Sequence, residues 1–399
     1  MTVQASAAAA AAPLHVLFFT ASLGGGGAEK HLVRVANALD PARFRVSVAV
    51  ARGGGAYERE LEPHVRFHPL GVRRMTQALG PLRRLMSSAR PDVVCSFLDH
   101  ANCVAVAAAR TLRDPPAVVL GVQAALSHSL HPRRGWKVRV IRRLIPRLYR
   151  RADAVVALSQ GVRHDLLALE PRLDERIRVI YNAGYDEASL RAAAAPLPPE
   201  APGGDGPLVV ACGRLAEQKG FEFLVRAVAR VRADHPVRLW IIGEGERRPG
   251  LEAEVERCGL AGAAWMPGFQ PDPLRFMRAA DVFVLSSLWE GFGNVLVEAM
   301  ATGTAVIATD CPHGPSEILA EASQGLLVPP GDVDALEAAL RRLLADPPLR
   351  RSMGAAGRER ARHFAAPVVA AEYGALFERV SRGAATGGGV ARARPRSAA

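Results

Sequence analysis

Short apolar runs alternating with helical patterns, twice over along one chain, constrain this sequence more than any other feature. The first series opens with a strand-like run from His15 to Thr20, a glycine-rich turn from Gly24 to Gly27 and a helical pattern from Ala28 to Leu39. Strand, glycine turn and helix make the start of a βα unit. Further strand-like runs stand at Arg45 to Ala51, Val93 to Phe97, Ala117 to Val122 and Ala154 to Leu158. Pro196 to Gly206 (PLPPEAPGGDG) denies both helix and strand and reads as a linker. The pattern then restarts, with strand-like runs at Leu208 to Ala211, Arg238 to Ile242, Ala263 to Met266, Val282 to Leu285 and Ala305 to Ala308. Such alternation specifies parallel sheets covered by helices on both faces.

At 399 residues the chain exceeds one ordinary hydrophobic core and fits two α/β domains. The expected organisation is a disordered leader at 1–13, a Rossmann-like domain at 14–195, the linker at 196–206 and a second Rossmann-like domain at 207–365. A helix at about 366–380 crosses back to the first domain, and a disordered tail fills 381–399. No apolar run approaches the roughly 20 residues of a spanning helix. The alanine-rich leader lacks the basic region of a signal peptide. Five scattered cysteines form no CxxC pair and no metal-spaced cluster, which suits a cytoplasmic location and argues against structural zinc. A net charge of +12 draws the chain to something acidic: a nucleotide, nucleic acid or an anionic membrane face. No nucleic-acid module is recognisable and aromatics are few, so nucleic acid is not an expected partner.

The segment Trp289 to Met300 (WEGFGNVLVEAM) carries the densest chemistry. The strand Val282 to Leu285 delivers Glu290 at its carboxyl end, where open α/β sheets bind ligands. Gly291 and Gly293 let backbone amides approach an anion, and the helix beginning near Asn294 points its positive end there. Glu298 sits about one turn into that helix, where a carboxylate can accept from both hydroxyls of a ribose; alone, it reads equally as a first-turn glutamate favoured by the dipole. The second segment is Gly213 to Phe221 (GRLAEQKGF), with Arg214 and Lys219 five apart on a loop entering a helix. Both can converge on a diphosphate, or else stand as two solvated surface cations. Asp332 and Asp334 (GDVD) resemble a metal-binding DxD, but they directly precede a periodic run and read as a helix cap.

Taken together, these segments resemble the retaining glycosyltransferases of family 4, which have the GT-B fold: two Rossmann-like domains facing each other across a donor-binding cleft. The resemblance runs from about residue 14 to 380. Matching stretches are GGGGAE (Gly24 to Glu29), ALSQGVRHDLL (Ala157 to Leu167), VIYNAG (Val179 to Gly184), GRLAEQKG, IIGEG (Ile241 to Gly245), the paired-glutamate segment and DCPHGPSEIL (Asp310 to Leu319).

The resemblance implies a nucleotide-sugar donor, with UDP suggested, and no metal or other cofactor. Arg214 and Lys219 would bind the donor diphosphate, and Gly25, Gly26 and Gly27 would face its phosphates. Glu290 would contact sugar hydroxyls, with the amides of Gly291, Phe292, Gly293, Asn294 and Val295 on sugar or phosphate. Glu298 would hold the ribose, and the base would lie near Gly268 and Phe269. Many relatives carry a histidine where this chain has Gln123, so His128 or His131 becomes the candidate to reach the acceptor or donor sugar. The acceptor class implied is a glycan, carried on lipid or as a lipopolysaccharide intermediate. Nine basic and no acidic residues between Arg133 and Arg151 add an interrupted amphipathic helix, in which Arg142, Arg143, Arg150 and Arg151 are candidates for contact with an anionic membrane. Two other readings stand beside this one: a GT-B sugar-nucleotide epimerase and a basic nucleic-acid-binding protein.

Overall fold

The computed structural model describes residues 12–129 and 145–385, with the side chains of 128, 129, 384 and 385 excepted. Residues 1–11 of the expected leader, the tail from 386, and His131, Arg142 and Arg143 lie outside the described residues.

Thirteen strands form two sheets among the described residues. The first holds β1 (Leu14–Thr20), β2 (Phe44–Val50), β3 (Arg66–Pro69), β4 (Val93–Phe97), β5 (Ala117–Val122), β6 (Ala154–Ala157) and β7 (Ile177–Val179), in the order β3-β2-β1-β4-β5-β6-β7. The second holds β8 (Leu208–Cys212), β9 (Arg238–Ile242), β10 (Ala264–Trp265), β11 (Val282–Leu285), β12 (Ala305–Thr309) and β13 (Leu326–Val328), in the order β10-β9-β8-β11-β12-β13. All five pairings of the second sheet are parallel. So are those joining β3 through β5 in the first. Parallel sheets buried on both faces need continuous apolar strands. Phe18, Val48, Val94 and Val119 in the first sheet and Val210, Ile241, Phe283 and Ile307 in the second are fully buried.

Each order reverses once. The chain leaves β1 toward β2 and β3, then returns to the opposite side of β1 to lay down β4. It does the same at β8, placing β9 and β10 on one side and β11 on the other. Helices covering opposite faces diverge at such a reversal, and the carboxyl ends of the two strands open a crevice there. The glycine-rich turn follows β1. The Arg214–Lys219 loop follows β8, and Glu290 follows β11.

The chain divides into two compact units. One comprises Met1–Gly121, Arg147–Val155 and Ala370–Ala399; the other comprises Val122–Pro146 and Val156–Val369. Residues 196–206 carry neither helix nor strand. The core of the second unit gathers Val209, Leu224, Val228, Leu239, Ile241, Val284, Ile307 and Leu340.

Helix ends follow their local signals. Asp332 Oδ1 accepts from the Ala335 amide at 2.9 Å and caps the helix Val333–Ala345, while Asp334 pairs with Arg230. The helix Pro347–Ala361 is absent from the sequence reading, because two prolines and two glycines look like breakers. Both prolines sit at its first positions after the Asp346 cap, where a proline loses nothing. Gly354 lets this helix close on the end of the neighbouring helix Asn294–Thr302, since a Cβ there would stand 2.1 Å from the Gly303 carbonyl oxygen. The closing helix runs Ala366–Ala385, five residues past the expected end at 380. Ser381 and Arg382 both donate to the Glu378 carbonyl and carry the last turn onward.

Candidate functional site

Two loops are laced together at the β8/β11 reversal. After β8 the chain makes a short turn at Glu217–Lys219 before the helix Phe221–Arg232. Leu288 donates its amide to the Gln218 carbonyl at 2.7 Å, and the Gln218 side chain donates to the Trp289 carbonyl at 2.8 Å. Ser286 Oγ donates to the Lys219 carbonyl at 2.9 Å. The loop carrying Lys219 is thus held against the loop carrying Glu290 by the main chain as well as by side chains.

The side chains meet on one oxygen. Lys219 Nζ donates to Glu290 Oε1 at 2.5 Å, and the fully buried Ser287 donates through Oγ to that same oxygen at 2.7 Å. Glu290 is 9 % exposed, so this ion pair is shielded from water and geometrically fixed. Thr309 Oγ1 in turn donates to the Ser287 carbonyl at 2.5 Å and ties β12 to the assembly. Arg214, by contrast, is exposed, and its guanidinium makes no hydrogen bond or ion pair among the described residues. Ser287 carried no signal in the sequence; its spacing from Glu290 becomes meaningful only once the loop is folded.

Gly291 follows Glu290 closely against the chain at Gln123: a Cβ on Gly291 would stand 2.7 Å from the Gln123 carbonyl oxygen. Phe292 is buried, stacked on Tyr181 with centroids 5.5 Å apart and edge-on to Phe364 at 5.4 Å. That packing anchors the turn from below. Gly293, with φ +102°, heads the helix Asn294–Thr302, whose first residues are Asn294 and Val295. Glu298 lies in this helix at 8 % exposure.

Two cysteines report the charge. Burial pushes the Cys212 thiol up to about 12, with the Glu298 carboxylate adding to the rise and Lys219 opposing it. Burial likewise raises Cys311 to about 12, reinforced by Glu290. The charges of Glu298 and Lys219 thus act on Cys212 at the end of β8, and those of Glu290 and Lys219 on Cys311 after β12. In the sequence these cysteines spoke only of a reducing compartment.

The remaining expected residues lie on other elements. Gly268 (φ +84°) follows β10, with a Glu244 carboxylate oxygen 2.9 Å from where its Cβ would be. Arg248 binds Glu244 and donates to the Met266 carbonyl at 2.8 Å. Phe269 is 56 % exposed. Gly25 (φ +122°), Gly26 and Gly27 lie in the other unit, where Gly26 caps the helix Gly27–Ala38. His128 falls in the short helix Leu126–Ser129, its side chain outside the described set. Arg150 is half-buried and Arg151 exposed. Among the described residues no group of three His, Cys, Asp or Glu could hold a metal ion.

This arrangement offers a fixed cation, a buried carboxylate and a helix N-terminus at one strand reversal, which suits a ligand carrying both phosphate and hydroxyl groups. Two family models cover most of the chain: Glycosyltransferase Family 4 at residues 25–184 and Glycosyl transferases group 1 at residues 198–360. The lipopolysaccharide core biosynthesis glycosyltransferase LpsE of Rhizobium meliloti is 29 % identical over 350 residues, covering 84 % of this chain and 90 % of its own. A Campylobacter jejuni enzyme, N-acetylgalactosamine-N,N'-diacetylbacillosaminyl-diphospho-undecaprenol 4-alpha-N-acetylgalactosaminyltransferase, is 26 % identical over 363 residues, covering 87 % and 94 %. Among solved structures, Anabaena HepE in complex with UDP-glucose superposes with a TM-score of 0.75 at 22 % identity, covering 92 % of this chain and all of that one. The chain belongs to the family 4 glycosyltransferases and has their GT-B fold.

Proposed function

We propose that this enzyme is a retaining glycosyltransferase that moves a hexosyl or N-acetylhexosaminyl group from a UDP-sugar to a lipid-linked oligosaccharide or lipopolysaccharide intermediate. The observation that carries the reading is the Lys219–Glu290 pair, laced between two strand ends beside the head of the helix Asn294–Thr302. LpsE is named for lipopolysaccharide core biosynthesis, the Campylobacter enzyme for a diphospho-undecaprenol acceptor, and HepE holds UDP-glucose. Those names support the donor and acceptor classes.

In this reading Arg214 and Lys219 take the donor diphosphate, Glu298 the ribose, and the loop at Gly268 and Phe269 the base. Gly25, Gly26 and Gly27 face the phosphates. As the sugar–phosphate bond breaks, negative charge grows on the diphosphate, and the two cations with the helix N-terminus stabilise it where it develops. Glu290, fixed through one carboxylate oxygen, uses the other for sugar hydroxyls. The acceptor hydroxyl attacks from the face the diphosphate leaves, a phosphate oxygen takes its proton, and the anomeric configuration is retained. Positioning and electrostatics do the chemistry, with no metal required. Arg150, Arg151 and the neighbouring basic segment place the enzyme on an anionic cytoplasmic membrane face, each cation contributing about 1 kcal/mol. No helix among the described residues is long and apolar enough to cross a membrane.

A thermal-shift and calorimetric screen of UDP, GDP, ADP and their sugar conjugates, without added metal, tests this directly. A ligand at 100 times its Kd adds about 2.7 kcal/mol of stability. Selective stabilisation by UDP compounds is the expected result; a folded protein that ignores every nucleotide would overturn the reading.

A further inference from the structure

A cavity of about 220 Å³ opens between the helices Phe221–Arg232 and Arg248–Arg257, with Leu215 and Ala216 of the Arg214–Lys219 loop in its wall. Phe221 and Leu251 extend the apolar lining, and all four side chains are buried. The charged groups come from both helices. Glu222 and Arg226 stand one turn apart on the first; Arg247 heads the second, and Glu254 follows two turns on.

Their hydrogen-bonding capacity is unequally used. Glu254, 5 % exposed, is committed: its Oε1 accepts from Arg226 Nε at 2.6 Å, and its Oε2 pairs with Arg257. That pair leaves the terminal nitrogens of Arg226 without an acceptor among the described residues. Arg247 and Glu222 make no side-chain hydrogen bond or ion pair among the described residues. The adjacent Arg248, by contrast, binds Glu244, Glu252 and the Met266 carbonyl. The cavity therefore holds two guanidiniums with unused N–H groups and one unused carboxylate between apolar walls.

Guanidinium forks match phosphate oxygens, and a free carboxylate accepts from hydroxyls. The volume falls below the roughly 300–1,000 Å³ of sites for drug-sized ligands, so a nucleotide is too large and a single sugar ring is the right scale. We propose that this cavity binds a monosaccharide phosphate, its phosphate on Arg226 and Arg247 and a ring hydroxyl on Glu222, and that the occupied site tunes the loop carrying Arg214 and Lys219. The backbone supplies the connection. Leu215 donates its amide to the Glu244 carbonyl, and its own carbonyl accepts from the Arg247 amide, both at 2.9 Å. A ligand that fixes Arg247 thus also restricts the segment from which the two cations project. Restriction lowers the ordering cost of diphosphate binding, and by linkage each ligand tightens the other equally. The coupling rests on the donor reading above; the cavity site does not.

The test is calorimetry of glucose 1-phosphate, glucose 6-phosphate, N-acetylglucosamine 1-phosphate, glucose and inorganic phosphate, with UDP at saturation so that the donor site is filled. The proteins are the full chain, Arg247→Ala, Glu222→Gln and Gly250→Leu. Gly250 lines the cavity, and a Cβ there meets nothing within 4 Å, so leucine enters open space. A sugar phosphate should bind the parent more tightly than glucose or phosphate does. Arg247→Ala should weaken it about tenfold through lost charged hydrogen bonds. Glu222→Gln should weaken it less and leave inorganic phosphate unaffected, and Gly250→Leu should abolish binding. In the parent, bound sugar phosphate should tighten the UDP Kd about fivefold, and in Arg247→Ala it should not. Silence from all three sugar phosphates, equal binding by parent and Arg247→Ala, or inorganic phosphate binding as well as its sugar esters would overturn the site. A UDP Kd indifferent to bound sugar phosphate would overturn the tuning of the loop. A parent that binds sugar phosphate through Arg247 but ignores UDP would instead remove the donor reading and leave the cavity site standing.

Discussion

The two units differ in the polar groups they bury. In the first unit, most buried polar side chains are neutral and pair with one another, with Arg34 the buried charge. His15 Nε2 pairs with Ser47 Oγ at 2.9 Å, and Asn102 joins Ser96, Tyr149 and the Gly121 carbonyl. His31 sits fully buried between the rings of Phe97 and Tyr373. The second sheet adds a cluster of charged groups, Lys219, Glu290 and Glu298, at the carboxyl ends of strands, beside two deprotonation-resistant thiols. A neutral, paired network adds rigidity at little cost in desolvation, whereas burying a charge costs more and a cluster of buried charges at strand ends points to a site. Polar burial of the first kind marks architecture, and of the second kind marks a site.

Substitutions should separate the two. Lys219→Ala should have the largest effect: kcat falls roughly 100- to 1000-fold, as for loss of a charge-stabilising donor, and the stranded Glu290 destabilises the fold by about 3 kcal/mol. Wild-type turnover in a folded variant would remove Lys219 from the leaving-group role. Glu298→Ala should raise the donor KM roughly 10- to 100-fold through lost charged hydrogen bonds, with kcat little changed. An unaltered KM would cancel the ribose assignment. Ser287→Ala should lower kcat/KM by about tenfold by loosening Glu290. Made in a Glu290→Ala background it should add nothing; additive losses in that double-mutant cycle would disconnect the two residues.

The first unit should answer to pH instead. Burial, aided by the Arg34 charge, lowers the His31 pKa from 6.5 to about 3. Below 6.5 the unfolded chain protonates this ring while the folded chain does not. The stabilising contribution is therefore complete above 6.5 and is lost as pH falls toward 3. Thermal melts across that window should show Tm dropping with acidification, and His31→Phe should flatten the slope; parallel slopes in parent and variant would show that His31 is not the group responsible. The smallest effect belongs to metal removal. Excess EDTA should leave turnover unchanged, and a loss restored by a divalent cation would break the metal-free reading.

Periodicity and glycine turns made most strands legible to within a residue, because a buried parallel strand must be apolar whatever surrounds it. The expected run Ala117 to Val122 and the strand β5 coincide, and Arg238 to Ile242 coincides with β9. The helix Pro347–Ala361 was illegible, because its prolines and glycines make sense only beside a cap and a close neighbour. Glu290 and Lys219 were visible as a motif, but their sharing of one oxygen with Ser287 was not. Glu317 illustrates the same limit. Its carboxylate accepts from the amides of Gln160 and Gly161 at 2.7 and 3.0 Å and caps the helix Gln160–Leu169, far away in sequence.

By itself, then, the sequence determined the class of fold, the family and the residue types at the site, since hydrophobic period, turn chemistry and charged motifs are local properties of the chain. Only the tertiary structure decided that β8 and β11 are adjacent at a reversal of strand order, that Ser287 completes the Lys219–Glu290 pair, and that Asn182 reaches Gln123 and Asn294. Those facts depend on which distant loops the sheet brings within hydrogen-bonding distance, and no local preference encodes that distance.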